Sequence, residues 1–103
     1  MWVQVISVQV KPGKDISGVI STLKAGEQPE SGLLRELFLH DQKDPDHYVI
    51  MAVFESEEKA RARESDPRRA EGMVAVRATI ADLVEGPPEF VDLTVLREID
   101  GQS

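Results

Sequence analysis

Apolar residues along this chain fall in short runs bounded by turn residues, and their spacing alternates between strand-like and helix-like. Trp2 to Val10 reads WVQVISVQV. β-Branched residues dominate it, with Val3 and Val5 on one face and Ile6, Val8 and Val10 on the other, which predicts a strand of imperfect alternation. Lys11-Pro12-Gly13 stops it. Ile16, Val19, Ile20 and Leu23 then follow the i, i+3, i+4, i+7 spacing of a helix with one buried stripe. Asp15 is the predicted N-cap and Gly26 the predicted C-cap, with Pro29 beyond it.

Leu33 to His40 and His47 to Phe54 read as two further strands. The turn Asp41 to Asp46 joins them through three aspartates and a proline, residues that favour turns by bonding to nearby backbone or by a fixed φ. This hairpin places His40 roughly opposite His47. Ser56 is the predicted cap of a helix with Glu57 and Glu58 in its first turn, where acids suit the helix dipole. Ala60 and Ala62 are its only apolar residues before Pro67, so it should be short and largely solvated. Asp66 and Pro67 suit the N-cap and N1 of a new helix. That helix carries Met73, Val76, Ile80 and Leu83 on one stripe and is predicted to end at Gly86. Pro87-Pro88 leads to a last strand, Phe90 to Ile99, and the tail 100–103 is expected to fray.

The predicted order is βαββαβ. It implies an α+β, ferredoxin-like fold: a four-stranded antiparallel sheet with helices on one face, as a single domain over residues 1–103. The third strand is apolar on both sides, with Val49, Met51 and Val53 pointing one way and Tyr48, Ile50, Ala52 and Phe54 the other. Helices can cover one side only. An identical sheet from a second copy is the simplest cover for the other, so a homodimer is expected.

Charge and composition narrow the functional classes. Nineteen acidic against twelve basic residues give a formal charge of −7, which argues against nucleic acid as a partner. With no cysteine, there is no disulfide, thiol nucleophile or Cys-ligated metal. No apolar run approaches the ~20 residues that span a bilayer, and the start lacks the flanks of a signal peptide. The expectation is a soluble cytoplasmic protein with no membrane partner.

Several short motifs then stand in a telling order. Lys11-Pro12-Gly13 follows the first strand, Asp44-Pro45-Asp46 lies in the hairpin turn, and Glu55-Ser56 opens a helix. Ser65-Asp66-Pro67 breaks that helix, and Gly86-Pro87 precedes the last strand. In this order, from about Val3 to Ile99, the chain resembles the antibiotic biosynthesis monooxygenase (ABM) domain family. The resemblance implies a dimeric α+β barrel, with a pocket between each sheet and its own helices. It also implies a cofactor-independent monooxygenase acting on a small aromatic or quinol-type substrate. The family's haem-degrading branch has an Asn, a Trp and a His at the positions of Ser7, Ala62 and Gly72, so haem cleavage is not expected. Its polyketide-oxidising branch often has a Trp and an Asn at the positions of Phe54 and Ile50. The chain contains no asparagine at all.

The expected substrate-contacting set is Ser7, Ile50, Phe54, Met73 and Arg77. The resemblance places Ser7 in the pocket, where it could orient a hydroxyl or carbonyl; it has no evident His–Asp partner, so nucleophilic catalysis is not expected of it. Phe54 could stack on an aromatic ring. Arg77, at the edge of the third helix's stripe, could hold a carboxylate or phenolate if turned inward. Catalytic residues are not identified beyond a weak candidate base, His40. No metal site is expected at His40 and His47, since a mobile turn supplies neither a fourth ligand nor a dry shell. Trp2 reads as an interface anchor. Arg61, Arg63, Arg68 and Arg69 interleave with acids and read as a solvated face with i, i+4 pairs from Glu57 and Glu64. The alternatives are a non-catalytic small-molecule-binding or accessory protein of the same fold, and an isomerase or decarboxylase.

Overall fold

The computed structural model describes residues 1–101. The elements run β1 (Trp2–Gln9), α1 (Ser17–Gly26), β2 (Leu33–His40), β3 (His47–Phe54), α2 (Glu57–Glu64), α3 (Pro67–Leu83) and β4 (Glu89–Thr94). The strands form one antiparallel sheet in the order β2-β3-β1-β4, so the fold is the expected α+β, ferredoxin-like one. No helix among the described residues is long and apolar enough to cross a membrane.

Register assigns the faces. Trp2 pairs with Phe54, Gln4 with Ala52, Ile6 with Ile50 and Val8 with Tyr48, so these residues share the side on which the helices lie. Two clusters build the core there. Trp2, Ala52 and Phe54 pack with Ala60 of α2, and Val8 and Val10 pack with Ile16 before α1. Phe54 is only 2% exposed, burial that is worth about 1.5–3 kcal/mol for a side chain of its kind. The α3 stripe is as expected, with Val76 buried and Met73, Ile80 and Leu83 partly so.

The opposite face has no helix over it. Val5, Val49, Met51 and Val53 are partly exposed in its middle, and Leu37, Leu39, Val91 and Leu93 are exposed on its outer strands. The two-sided apolar character of β3 therefore has a structural counterpart: one side under helices, the other open.

Several local expectations need correction. Trp2 faces the helices rather than an interface; its ring lies 5.9 Å from that of Phe54, and the Arg61 guanidinium sits 5.1 Å above it. Ile16 occupies the N-cap position of α1, while Asp15 still serves the first turn by accepting from the Ser17 N–H at 2.9 Å. Gly26 closes the helix from within, and Glu27 is the C-cap. α3 ends at Leu83 and not Gly86, because the backbone there bonds to the end of β1. Lys11 N–H donates to the Leu83 carbonyl, and Glu85 N–H to that of Gln9, both at 2.7 Å. β4 stops at Thr94, not Ile99, since Thr94 pairs with Trp2 at the start of β1 and little partner strand remains. Of the tail expected to fray, Gln102 and Ser103 lie outside the described residues. The Ser56 and Asp66 caps are present, each accepting a backbone N–H, with Pro67 in the first turn.

The hairpin register differs by one residue from expectation. His40 pairs with Tyr48, not His47. One residue of slip exchanges faces, so the two histidines point to opposite sides of the sheet. A bulge between Leu33 and Arg35 absorbs Leu34 at the start of β2 and sets the phase that follows.

Candidate functional site

A groove with room for a small molecule lies on the helix side of the sheet. It lies between α1 and β2, has a volume of about 260 Å³, and is lined by Ile20, Leu23 and Lys24 of α1, by Glu27, and by Leu33, Glu36 and Phe38 of β2. Leu23 and Ile20 belong to the apolar stripe that packs α1 onto the sheet. Glu36 and Phe38 are on the same side of β2 because side chains two apart share a face.

Glu36 is the chemically distinctive member. It is part-buried, and burial pushes its carboxyl above the usual carboxylate range; Glu27 pushes the same way, while Arg63 and Arg69 oppose. Glu27 behaves differently. Burial alone would raise it, but hydrogen bonds from Arg63 and Ser31 and the nearby arginine charges outweigh burial and hold it low. Arg63 of α2 grips Glu27 through Nε at 3.0 Å and Nη2 at 2.5 Å, and its guanidinium lies 5.3 Å over the Phe54 ring. Burial and the neighbouring Arg63 charge push Arg69 down, while Glu27, Glu64 and Glu36 oppose. The groove thus pairs an apolar lining with one carboxyl that resists ionisation beside a fixed Arg–Glu pair.

The expected substrate-contacting residues do not converge on this groove. Ile50 borders a small apolar space of about 20 Å³ with Val8, Ile16, Val19, Ile80, Leu83 and Val84. Met73 borders a space of about 10 Å³ with Arg63, Arg69 and Gly72. Gly72 serves helix packing, since a Cβ there would lie 3.5 Å from the Gly26 Cα. Phe54 is in the core under Arg63, and Arg77 is exposed on the outer side of α3. His40 is exposed, stacked on Tyr48 at 4.5 Å and bonded through Nε2 to the Pro45 carbonyl at 2.8 Å. None of these five lines the α1–β2 groove. The basic run splits as well. Arg61 pairs with Glu57 at 3.3 Å as expected, Arg68 with Asp66 at 2.7 Å instead of Glu64, and Arg63 turns inward.

Ser7 departs furthest from expectation. It lies on the open face, and it does have a His–Asp partner. Its Oγ is 2.6 Å from His47 Nε2, and His47 Nδ1 is 2.9 Å from Asp41 Oδ2. The turn holds Asp41 in place: its Oδ1 accepts from the Lys43 N–H at 2.8 Å and the Asp44 N–H at 3.3 Å. These bonds, led by that from His47, keep its carboxyl below the usual range. Among the described residues, no three His, Cys, Asp or Glu side chains are placed to hold a metal ion.

Sequence reasoning missed Glu36 and this triplet. Glu36 had one usable signal: it alternates in phase with Phe38, so whatever face buries the aromatic ring also takes the carboxyl.

The model of the antibiotic biosynthesis monooxygenase family matches residues 1–73. No curated protein matches the sequence. Among solved structures, a Chloroflexus aurantiacus protein described as an antibiotic biosynthesis monooxygenase is similar at 24% identity and a TM-score of 0.69, covering 97% of this chain and 98% of that one. SnoaB, a cofactor-independent oxygenase from Streptomyces nogalater, is 22% identical with a TM-score of 0.70 and 95% of each chain covered. A Nitrosomonas europaea protein of unknown function, NE2512, reaches 0.72 at 18% identity, covering 95% and 91%. At such identities these likenesses speak to the fold.

Proposed function

We propose that this chain, which belongs to the antibiotic biosynthesis monooxygenase family, oxygenates a small aromatic or quinol-type substrate in the groove between α1 and β2, without a metal or flavin. Glu36 carries the reading. A carboxyl whose pKa is raised by burial is a stronger base than an exposed one, and it faces an apolar groove large enough for a small ring system. Glu36 takes the phenolic proton, and the phenolate supplies the electrons that reduce dioxygen. The Arg69 charge reaches Glu36 and favours the anion that forms beside it. Phe38, Ile20 and Leu23 keep water from the reacting ring. The description of SnoaB as a cofactor-independent oxygenase supports the reaction class.

In this proposal the working unit is a cytoplasmic homodimer. The open face presents Val5, Val49, Met51, Val53, Leu37, Leu39, Val91 and Leu93 as one apolar surface, which a second copy of the sheet would cover.

Oxygen uptake by chelator-treated protein, offered a series of naphthols and hydroquinones, tests the activity. Uptake that saturates with substrate and drops at least about 100-fold in Glu36→Gln supports it. A second reading, a non-catalytic binder of small aromatic molecules, is favoured by the tight packing around Ile50 and Met73, where the spaces of about 20 and 10 Å³ are too small for a substrate. Saturable binding with no oxygen uptake would move the assignment there.

A further inference from the structure

The Ser7–His47–Asp41 triplet lies on the sheet face opposite the groove just described, so the oxygenase reading does not use it. It stands at one end of that face, since Ser7 pairs with Glu89 at the start of β4 and His47 opens β3, and none of the apolar residues proposed to meet a second copy lines its cleft. Ser7 sits diagonal to His47 across the β1–β3 pair, since Ser7 pairs with Val49 and Gln9 with His47. Strand pairing therefore fixes the serine and the histidine, and the hairpin turn brings Asp41 behind the ring. The order of contacts is nucleophile to base to orienting carboxylate, at 2.6 and 2.9 Å. A carboxylate is an acceptor only, so Asp41 accepts a hydrogen bond from Nδ1–H and leaves the lone pair of Nε2 for the Ser7 hydroxyl. Asp41 is itself held by two turn N–H groups. The triplet is thus fixed on both of its backbone elements.

Ser7 and His47 open onto a cleft of about 440 Å³, shared with Gln9, Glu85, Gly86, Pro87 and Glu89. Gln9 is two residues on from Ser7 and faces the same way. One of its amide N–H bonds goes to Asp44 Oδ2 at 3.2 Å. A primary amide has a second N–H, which a carbonyl oxygen in the cleft can receive. Glu85 and Glu89 make the rim acidic, so it disfavours anionic acyl donors such as acyl phosphates.

We propose that Ser7 is a nucleophile for acyl transfer, with His47 as its base and Asp41 as a positioning residue, in a second site that takes small uncharged or cationic carboxylic esters. Ser7 Oγ bonds to the ester carbonyl carbon while its proton passes to His47 Nε2. Collapse of the adduct breaks the carbon–oxygen bond to the alcohol, which leaves with the proton from His47. Water then attacks the acyl-serine, His47 takes its proton and returns one to Ser7 Oγ, and the carboxylic acid departs. The sum is ester plus water giving acid plus alcohol, with no redox change.

The test uses the full chain with two probes, 4-nitrophenyl acetate for turnover and phenylmethylsulfonyl fluoride for labelling, with peptide mass spectrometry to locate the label. The expected label is on Ser7. Its rate should fall about 100-fold or more in His47→Gln. Ser7→Ala should remove both label and nitrophenol release while circular dichroism shows the fold intact. Asp41→Asn should slow labelling, because the imidazolium formed in the step loses its counter-charge. A purely structural tie between turn and strand would leave that rate unchanged, since the amide oxygen still accepts the Lys43 and Asp44 N–H bonds. Label absent from Ser7, or equally fast in His47→Gln, overturns the proposal. So does nitrophenol release that survives Ser7→Ala.

Discussion

Arg63 and Glu27 form a bidentate pair that ties α2 to the end of α1, and the arginine side chain is only 10% exposed against 26% for its partner. Removing one member leaves a partly desolvated charge behind. Arg63→Ala is therefore expected to cost about 2–3 kcal/mol, somewhat below a fully buried pair because Glu27 keeps some water. It also strips the cation from the Phe54 ring. Arg63→Lys should recover less than half, as an ammonium cannot make the two parallel bonds. Urea unfolding of the three proteins at one pH measures this.

Glu36 and Glu27 give opposite pH signatures. The folded pKa of Glu36 lies above the usual 4.5. Its contribution to stability is complete below the unfolded value and is lost as pH rises through the raised one. Glu27 lies below 4.5, so its contribution is present above that value and is lost as pH falls through the lowered one. Glu36→Gln cannot ionise. Its unfolding midpoint should gain on the wild type as pH rises above the unfolded value and level off above the raised one, while oxygen uptake is lost. A midpoint difference that is flat with pH would show that the carboxyl is not burial-shifted.

Gly72 and Gly26 set how closely α3 crosses α1. A Cβ on Gly72 meets the Gly26 Cα at 3.5 Å, an ordinary contact. Gly72→Ala should be neutral or stabilising by up to about 1 kcal/mol, through helix propensity. Gly72→Leu would wedge the helices apart and cost about 1–3 kcal/mol. Thermal unfolding of both variants separates room for one methyl from room for a side chain.

Met51 sits mid-strand on the open face, paired across to Val5 and Leu37. Met51→Glu puts a charge in the centre of the surface proposed to join two copies. It should convert a dimer to a folded monomer, read by native mass spectrometry. Leu96→Glu, at a position already 96% exposed in the chain alone, is the surface comparison and should leave helix and sheet content unchanged.

Periodicity made most of this architecture legible. The α1 and α3 stripes and the two-sided β3 are patterns whose phase is set by many residues at once. Phase failed where few residues set it. In β1, apolar residues occupy both faces, so nothing local decided that Trp2 shares a side with Phe54. In the hairpin, a single residue of register separates His40 opposite His47 from His40 opposite Tyr48. The Ser7–His47 contact was hidden by β1: the resemblance put Ser7 in the pocket under the helices, whereas its pairing with Val49 sets it on the face of His47. Asp41 then read as a turn former or a metal ligand, not as a partner of Ser7 and His47. Arg63 was lost among alternating charges for a related reason: its inward turn depends on Glu27 in another element, which no local window contains.

The packing of Trp2 gives this protein a built-in optical probe. It is the only indole in the chain, and it lies between the Phe54 ring and the Arg61 guanidinium where α2 meets the sheet. Its emission should shift to the red when α2 lifts away. The Ser7 cleft is on the other side of the sheet, so acylation there should leave the spectrum almost untouched. A single fluorophore would thus tell helix undocking from events on the open face in real time.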